Sequence, residues 1–200
     1  MIAVIDYGMG NLRSVQKAFE TLGFDARITN SAQDLKDASH IVLPGVGAFA
    51  DAAKSLKATG MQDTMLSQIK GGKPFLGICL GMQLMFDRSF ENGQHTGLSL
   101  IPGDVVRFDV KNLKVPHMGW NNLIIKDNAL FDSNGPDKYV YFVHSYHASN
   151  VPDEYVIAET DYGYRFTAAV AKENIFGLQF HPEKSSDVGL DMLKAFGELK

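Results

Sequence analysis

The sequence predicts an α/β fold: one domain over 1–200, built on a mostly parallel, doubly wound sheet with helices on both faces and antiparallel strands added in the C-terminal half. Three observations predict it. Short apolar, β-branched runs such as IAVID and HIVLPG recur through the first half. Helical-period segments of about 10–15 residues separate them, which implies right-handed crossovers and a sheet covered on both sides. From about Gly97 the helical patterning gives way to strands joined by turns.

The first strand is IAVID, Ile2 to Asp6. Leu12, Val15, Phe19 and Leu22 then fall at helical spacing, and Gly23 ends that helix. DARIT offers a second strand. SAQDLKDA opens a helix on Ser31, with Asp34 three residues on in a capping-box-like start. HIVLPG is a third strand that stops at Pro44-Gly45. A helical region runs from about Ala48 to Lys70, broken near Gly60. GGKP is a turn, FLGI a buried strand, and LGMQLMFDRS reads as the helix after it. LSLIPGDVVRFDV, YVYFVHSYHA, EYVIAET and FTAAVAKENIFGLQF read as strands with turns between them. Val188, Met192, Leu193, Phe196 and Leu199 share one side of a closing amphipathic helix.

Composition narrows the function classes. With 19 basic and 23 acidic residues the formal net charge is −4, so no polybasic surface offers itself to nucleic acid or to an anionic membrane. No apolar run reaches the ~20 residues of a membrane span. The start, MIAVIDYG, lacks the charged region and cleavage site of a signal peptide. A single cysteine forms no internal disulfide, which fits a reducing, cytoplasmic setting.

That cysteine, Cys79, stands in Gly77-Ile78-Cys79-Leu80-Gly81. The pattern G-x-C-x-G after an apolar strand and before a helix is the setting of a nucleophile elbow, where glycines let the backbone turn sharply. The turn projects the thiol at the carboxyl end of a parallel strand, where open α/β sheets place their ligands. The helix N-terminus favours a thiolate, and the N–H of Leu80 is free to donate to an oxyanion. The competing reading is a buried structural cysteine. A base is needed to choose between them.

His181 supplies one. It ends an apolar strand in GLQFHPEKS, with Glu183 two residues on. In an extended segment those two side chains point the same way, and Pro182 restricts His181 to that conformation. Glu183 then orients the ring while His181 takes the thiol proton. His144 and His147, in FVHSYH, have a spacing that suggests metal, but no C-x-x-C or H-E-x-x-H pattern supports one. They read as polar strand residues lining a site, and no metal or cofactor is expected. His40, His95 and His117 have no adjacent acid–base partner in sequence.

GICLGMQ followed at a distance by FHPE resembles the class I, triad-type glutamine amidotransferases. DYGMGNLRS, PGVGAF, PHMGWN, YFVHSY and HPEKS are similar, within that family, to the glutaminase subunits of imidazole glycerol phosphate synthases. These motifs run in order from Asp6 to Ser185. The resemblance implies a Cys79–His181–Glu183 triad that releases ammonia from glutamine. It implies a heterodimer with a (β/α)₈-barrel cyclase subunit that uses the ammonia in histidine biosynthesis. It further implies that Gly47, Gln83 and backbone groups of Ser145 and Tyr146 contact glutamine. A second oxyanion donor comes from near Val46 or Gly47. The same resemblance implies that Asn11, Met118, Trp120 and Lys184 face the partner. From residue type alone, Trp120 reads as core. His147 and Ser186 depart from the residues usual after FVHSY and HPEKS. Three other readings stand beside this one: an amidotransferase subunit serving another synthase, a catalytically silent binding subunit of the same fold, and a partner-free cysteine hydrolase.

Overall fold

The computed structural model describes residues 1–126, 128–131 and 137–200. Its spine is five parallel strands: β1 (Ile2–Ile5), β2 (Ala26–Thr29), β3 (His40–Gly45), β4 (Phe75–Cys79) and, last in sequence, β14 (Ile175–Leu178). They lie in the order β2-β1-β3-β4-β14. Beyond β14 the sheet continues antiparallel through β13 (Arg165–Lys172), β11 (Tyr146–Ser149) and β7 (Asp104–Arg107). The short β5 (Arg88–Ser89) and β6 (His95–Thr96) close that edge, while β12 (Val156–Asp161) pairs with β13 and with β9 (Ile124–Ile125). This is the expected architecture.

Alternation along the parallel strands divides the core. Ile2 and Val4 face one layer and Ala3 and Ile5 the other. Helices α1 (Leu12–Thr21) and α6 (Ser186–Gly197) bury Val15, Phe19, Leu193 and Phe196 on the first face. Helices α2 (Ala32–Asp37), α3 (Phe49–Ala58) and α4 (Gln62–Lys70) bury Leu35, Leu56 and Met65 on the second. Ser31 caps α2 by accepting the Asp34 N–H. The cap is not reciprocal, because the Asp34 carboxylate accepts instead from the Thr29 hydroxyl. Gly60, at φ +71, makes the expected break between α3 and α4.

Two features differ from the sequence reading. YVYFVHSYHA is not one strand. It breaks at Ser145 into β10 (Tyr139–His144) and β11, which belong to different sheets. β10 pairs antiparallel with β8 (His117–Asn122) in a separate two-stranded sheet. The helix after Cys79 is also a single turn, α5 (Leu80–Gln83). The residues after it turn away because Leu98, Ser99 and Leu100 donate to the carbonyls of Leu84, Phe86 and Met85. A continuing helix would need those carbonyls for itself. Among the described residues, no helix is long and apolar enough to cross a membrane.

Candidate active site

Cys79 ends β4 at φ 55, a left-handed conformation unusual for a residue with a side chain. Its two glycines are required by close approach. A Cβ on Gly81 would overlap the Leu43 carbonyl of β3, and one on Gly77 would come within 2.7 Å of the Gly81 carbonyl oxygen. The turn therefore packs directly on the neighbouring strand with the thiol projecting from it. Because α5 is one turn long, the N-terminal field expected to favour a thiolate comes from fewer aligned peptides than a full helix provides.

His181 is buried, and its Nδ1 lies 2.9 Å from Oε1 of Glu183, whose side chain is also buried. The pairing is as expected, but its geometry is not strand alternation. His181 is extended, and Pro182–Lys184 form a 3₁₀ turn that swings Glu183 back under the ring. Ser185 fixes this turn by donating to the His181 carbonyl at 2.6 Å and accepting the Tyr141 N–H at 3.0 Å. Burial alone lowers the pKa of His181. The neighbouring Cys79 and Glu183 outweigh it and carry the imidazole up to about 10. The ring's Nε2 is buried and has no hydrogen-bond partner among the described residues, with Cys79 the reactive group beside it. Catalytic contacts of this kind often tighten only when substrate binds.

Cys79 opens into a cleft of about 310 Å³ lined by Val46, Gly47, Leu80, Gln83, Glu91, Val143, His144 and Tyr146. The expected oxyanion and glutamine residues thus meet there, with one exception. Ser145 does not line the cleft, and its carbonyl is taken by the Phe108 N–H at 3.1 Å. Gly47 has φ +106, while Gly45 is pinned for another reason: a Cβ there would strike the Tyr7 hydroxyl. Burial, with the Cys79 charge adding to it, pushes the Tyr7 phenol up.

Three groups were missed in the sequence. Glu91 lines the cleft while its Oε2 accepts the Phe49 N–H at 2.7 Å, capping the first turn of α3. Gln179 is fully buried. It accepts from Gln83 Nε2 at 3.1 Å, and its own Nε2 lies 3.8 Å from the Cys79 sulfur. His117 hydrogen-bonds to His144. The Gln in LQFHPE and the His in PHMGWN are sequence signals within quoted motifs, but Glu91 carries none.

Of the residues expected at a partner surface, Trp120 and Lys184 lie beside the same Tyr141 ring. Met118 and Trp120 are 66% and 53% exposed, so Trp120 is not core. The Trp120 ring meets Tyr141 edge-on at 6.1 Å, and the Lys184 ammonium sits 5.9 Å from the same Tyr141 ring. Asn11 precedes α1, which packs against the 182–184 turn. Of the two departures, His147 is buried between Phe108 and the Tyr164 hydroxyl, and Ser186 takes φ 51, a conformation that suits glycine.

The glutamine amidotransferase class I family matches residues 3–198. A relative from Caldanaerobacter subterraneus, imidazole glycerol phosphate synthase subunit HisH, is 50% identical, covering 100% of this chain and 98% of its own. The subunit of the same name from Methanothermobacter thermautotrophicus is 51% identical over 100% and 98% of the two chains. Among solved structures, a glutamine amidotransferase aligns with TM-score 0.77 at 17% identity, over 98% of this chain and 100% of that one. PurLQS from Thermotoga maritima aligns with TM-score 0.73 at 19% identity, over 98% and 96%. The fold, the cysteine elbow with its buried histidine and glutamate, and these full-length matches lead to one conclusion: the chain belongs to the class I glutamine amidotransferases, among the HisH subunits of imidazole glycerol phosphate synthase.

Proposed function

We propose that this chain is the glutaminase subunit of an imidazole glycerol phosphate synthase, with Cys79, His181 and Glu183 as its triad. The observation that carries the reading is the strained Cys79 elbow beside a histidine that hydrogen-bonds a buried glutamate. Cys79 attacks the side-chain carbonyl carbon of glutamine and its proton passes to His181. The same imidazolium protonates the leaving nitrogen, ammonia departs, and a γ-glutamyl thioester remains. His181 then takes a proton from water, the hydroxide adds to the thioester, and glutamate leaves with the thiol restored. Glu183 holds the ring's Nδ1–H and stabilises its charged form.

The cleft is polarised to match the substrate. Gln83 donates both Nε2 hydrogens, to the Tyr146 carbonyl at 3.0 Å and to Gln179, which leaves its oxygen as an acceptor. With the Glu91 carboxylate it makes an end suited to the ammonium of an amino acid. The Leu80 N–H, with a peptide N–H from Val46 or Gly47, makes the end suited to an oxyanion. Gly47 and Tyr146, which line the same cleft, complete the contacts. The ammonia goes to a cyclase subunit, a (β/α)₈ barrel, docked against Asn11, Met118, Trp120 and Lys184 in a cytoplasmic heterodimer. No cofactor, metal or nucleic acid enters the reaction.

Cys79→Ala tests the division of labour. The assembled complex should lose glutamine-dependent synthesis and keep synthesis from added ammonium salt. Loss of both activities in a complex that still assembles would refute it.

A further inference from the structure

We propose that His117 and His144 are positioning residues for glutamine: with Asn121 they form a one-way hydrogen-bond chain from strand β8 to the Tyr146 carbonyl in the cleft. The proposal rests on the reading that this cleft binds glutamine.

The direction of every link follows from one atom. The Tyr146 carbonyl only accepts, so the His144 Nδ1 that lies 2.8 Å away must carry hydrogen. A neutral imidazole has one N–H, so His144 Nε2 is an acceptor. His117 Nδ1, 3.0 Å from it, must then donate. That leaves His117 Nε2 as an acceptor for Asn121 Nδ2 at 3.3 Å, and the second amide hydrogen of Asn121 goes to the Asp161 carbonyl at 2.8 Å. Neutrality is enforced by burial, which lowers His144 to about 3 and His117 to about 4. Aromatic packing surrounds the rings: His117 stacks on Phe142 and Tyr162, with ring centroids 4.7 and 4.0 Å away, and Phe108 meets His144 edge-to-face with centroids 5.1 Å apart.

Both ends of the chain are functional surfaces. The Tyr146 carbonyl also accepts from Gln83, and through Gln179 the same network reaches the Cys79 sulfur. At the other end, alternation along β8 turns His117 and Asn121 inward and Met118 and Trp120 outward. Among the described residues β8 pairs only with β10, in a register that sets His117 opposite His144. A contact that shifts the outer face of this strand therefore shifts the donor that orients His144, and with it the wall against which Gln83 is held.

The test is steady-state glutamine kinetics on the full chain assembled with its cyclase subunit. Asparagine places a donor where Nδ1 of histidine sits, whereas glutamine places one at the Nε2 end. His144→Leu and His117→Leu should each raise KM for glutamine about tenfold or more, with a smaller change in kcat, because a buried acceptor loses its donor. His144→Asn should restore KM to within about threefold, and His144→Gln should not. If the leucine variants fail to fold, the Asn and Gln pair decides the matter. Equal KM values in that pair, or an unchanged KM in a folded leucine variant, would overturn the proposal. Gln83→Leu is the control on the cleft itself. An unchanged KM there would refute the glutamine-site reading, and the proposal with it, whatever the histidine variants do.

Discussion

Glu183 uses one carboxylate oxygen on His181 and leaves the other, Oε2, buried without a partner among the described residues. The charge is held there to favour imidazolium, since an uncharged acceptor would orient Nδ1–H equally well. Glu183→Gln keeps that acceptor and loses the charge, so it should cost less in kcat/KM than His181→Ala, which removes the base. Equal losses in folded variants, measured in the assembled complex, would give the carboxylate a larger role than orientation and charge. The Cys79 turn and the pairing of His181 with Glu183 were legible in the sequence because their cues are local: glycines flank Cys79, and only Pro182 stands between His181 and Glu183. Glu91 was not, because its role exists only where the segment after β5 folds over the N-terminus of α3. The same limit hid the pairing of His117 with His144, which lie 27 residues apart and meet only through the β8–β10 register.

At the scale of elements, the contact between β3 and the elbow is the tightest in the site. Gly81→Ala drives a methyl into the Leu43 carbonyl, so β3 or the elbow must move, at a cost of about 1–3 kcal/mol or more. Gly60→Ala is the comparison. That residue stands in open space at φ +71, and the substitution should cost only about 1–2 kcal/mol of backbone strain. Urea unfolding with matched m-values would rank the two. Burial makes a second element sensitive to acid. His117 and His144 titrate in the fold at about 4 and about 3, below the ordinary value of 6.5, so below that pH the unfolded chain binds more protons than the native one. The stability these two rings contribute is therefore fully present above about pH 6.5 and falls as the pH drops toward 3, whereas that of His181, held up at about 10, is complete below about pH 6.5 and lost as the pH rises toward 10. A urea midpoint no lower at pH 5 than at pH 6.5 would contradict this. The parallel strands and their helices were legible from periodicity. The single turn of α5 was not, because GMQLMF is buried on every side, and an apolar run buried all round carries no period to read.

At the scale of the molecule, Cys79 and the exposed apolar residues of β8 belong to different sheets that meet at Ser145. Cys79 stands on the parallel spine, while Met118 and Trp120 project from the two-stranded sheet whose β10 leads into the cleft strand β11. Composition could not announce this division, since an exposed Trp and a core Trp look alike until β8 is placed. The segment Gly45-Val46-Gly47, proposed above to supply an oxyanion donor, lines the cleft through Val46 and Gly47, with Val46 42% exposed and Gly47 at a φ few other residues adopt. Such a segment can hold its N–H turned away until a partner favours the donor-in state, and a ligand shifts that equilibrium only by its differential affinity. Losing one oxyanion donor costs about 10²–10³ in rate. Under the function proposed above, Cys79, His181 and Glu183 wait on the partner subunit for full activity. Steady-state glutamine hydrolysis should be very slow for the chain alone and rise about 100-fold or more when the cyclase subunit and its nucleotide ligand are both added, with the cyclase subunit alone as the intermediate condition; full activity in the isolated chain would refute this gating.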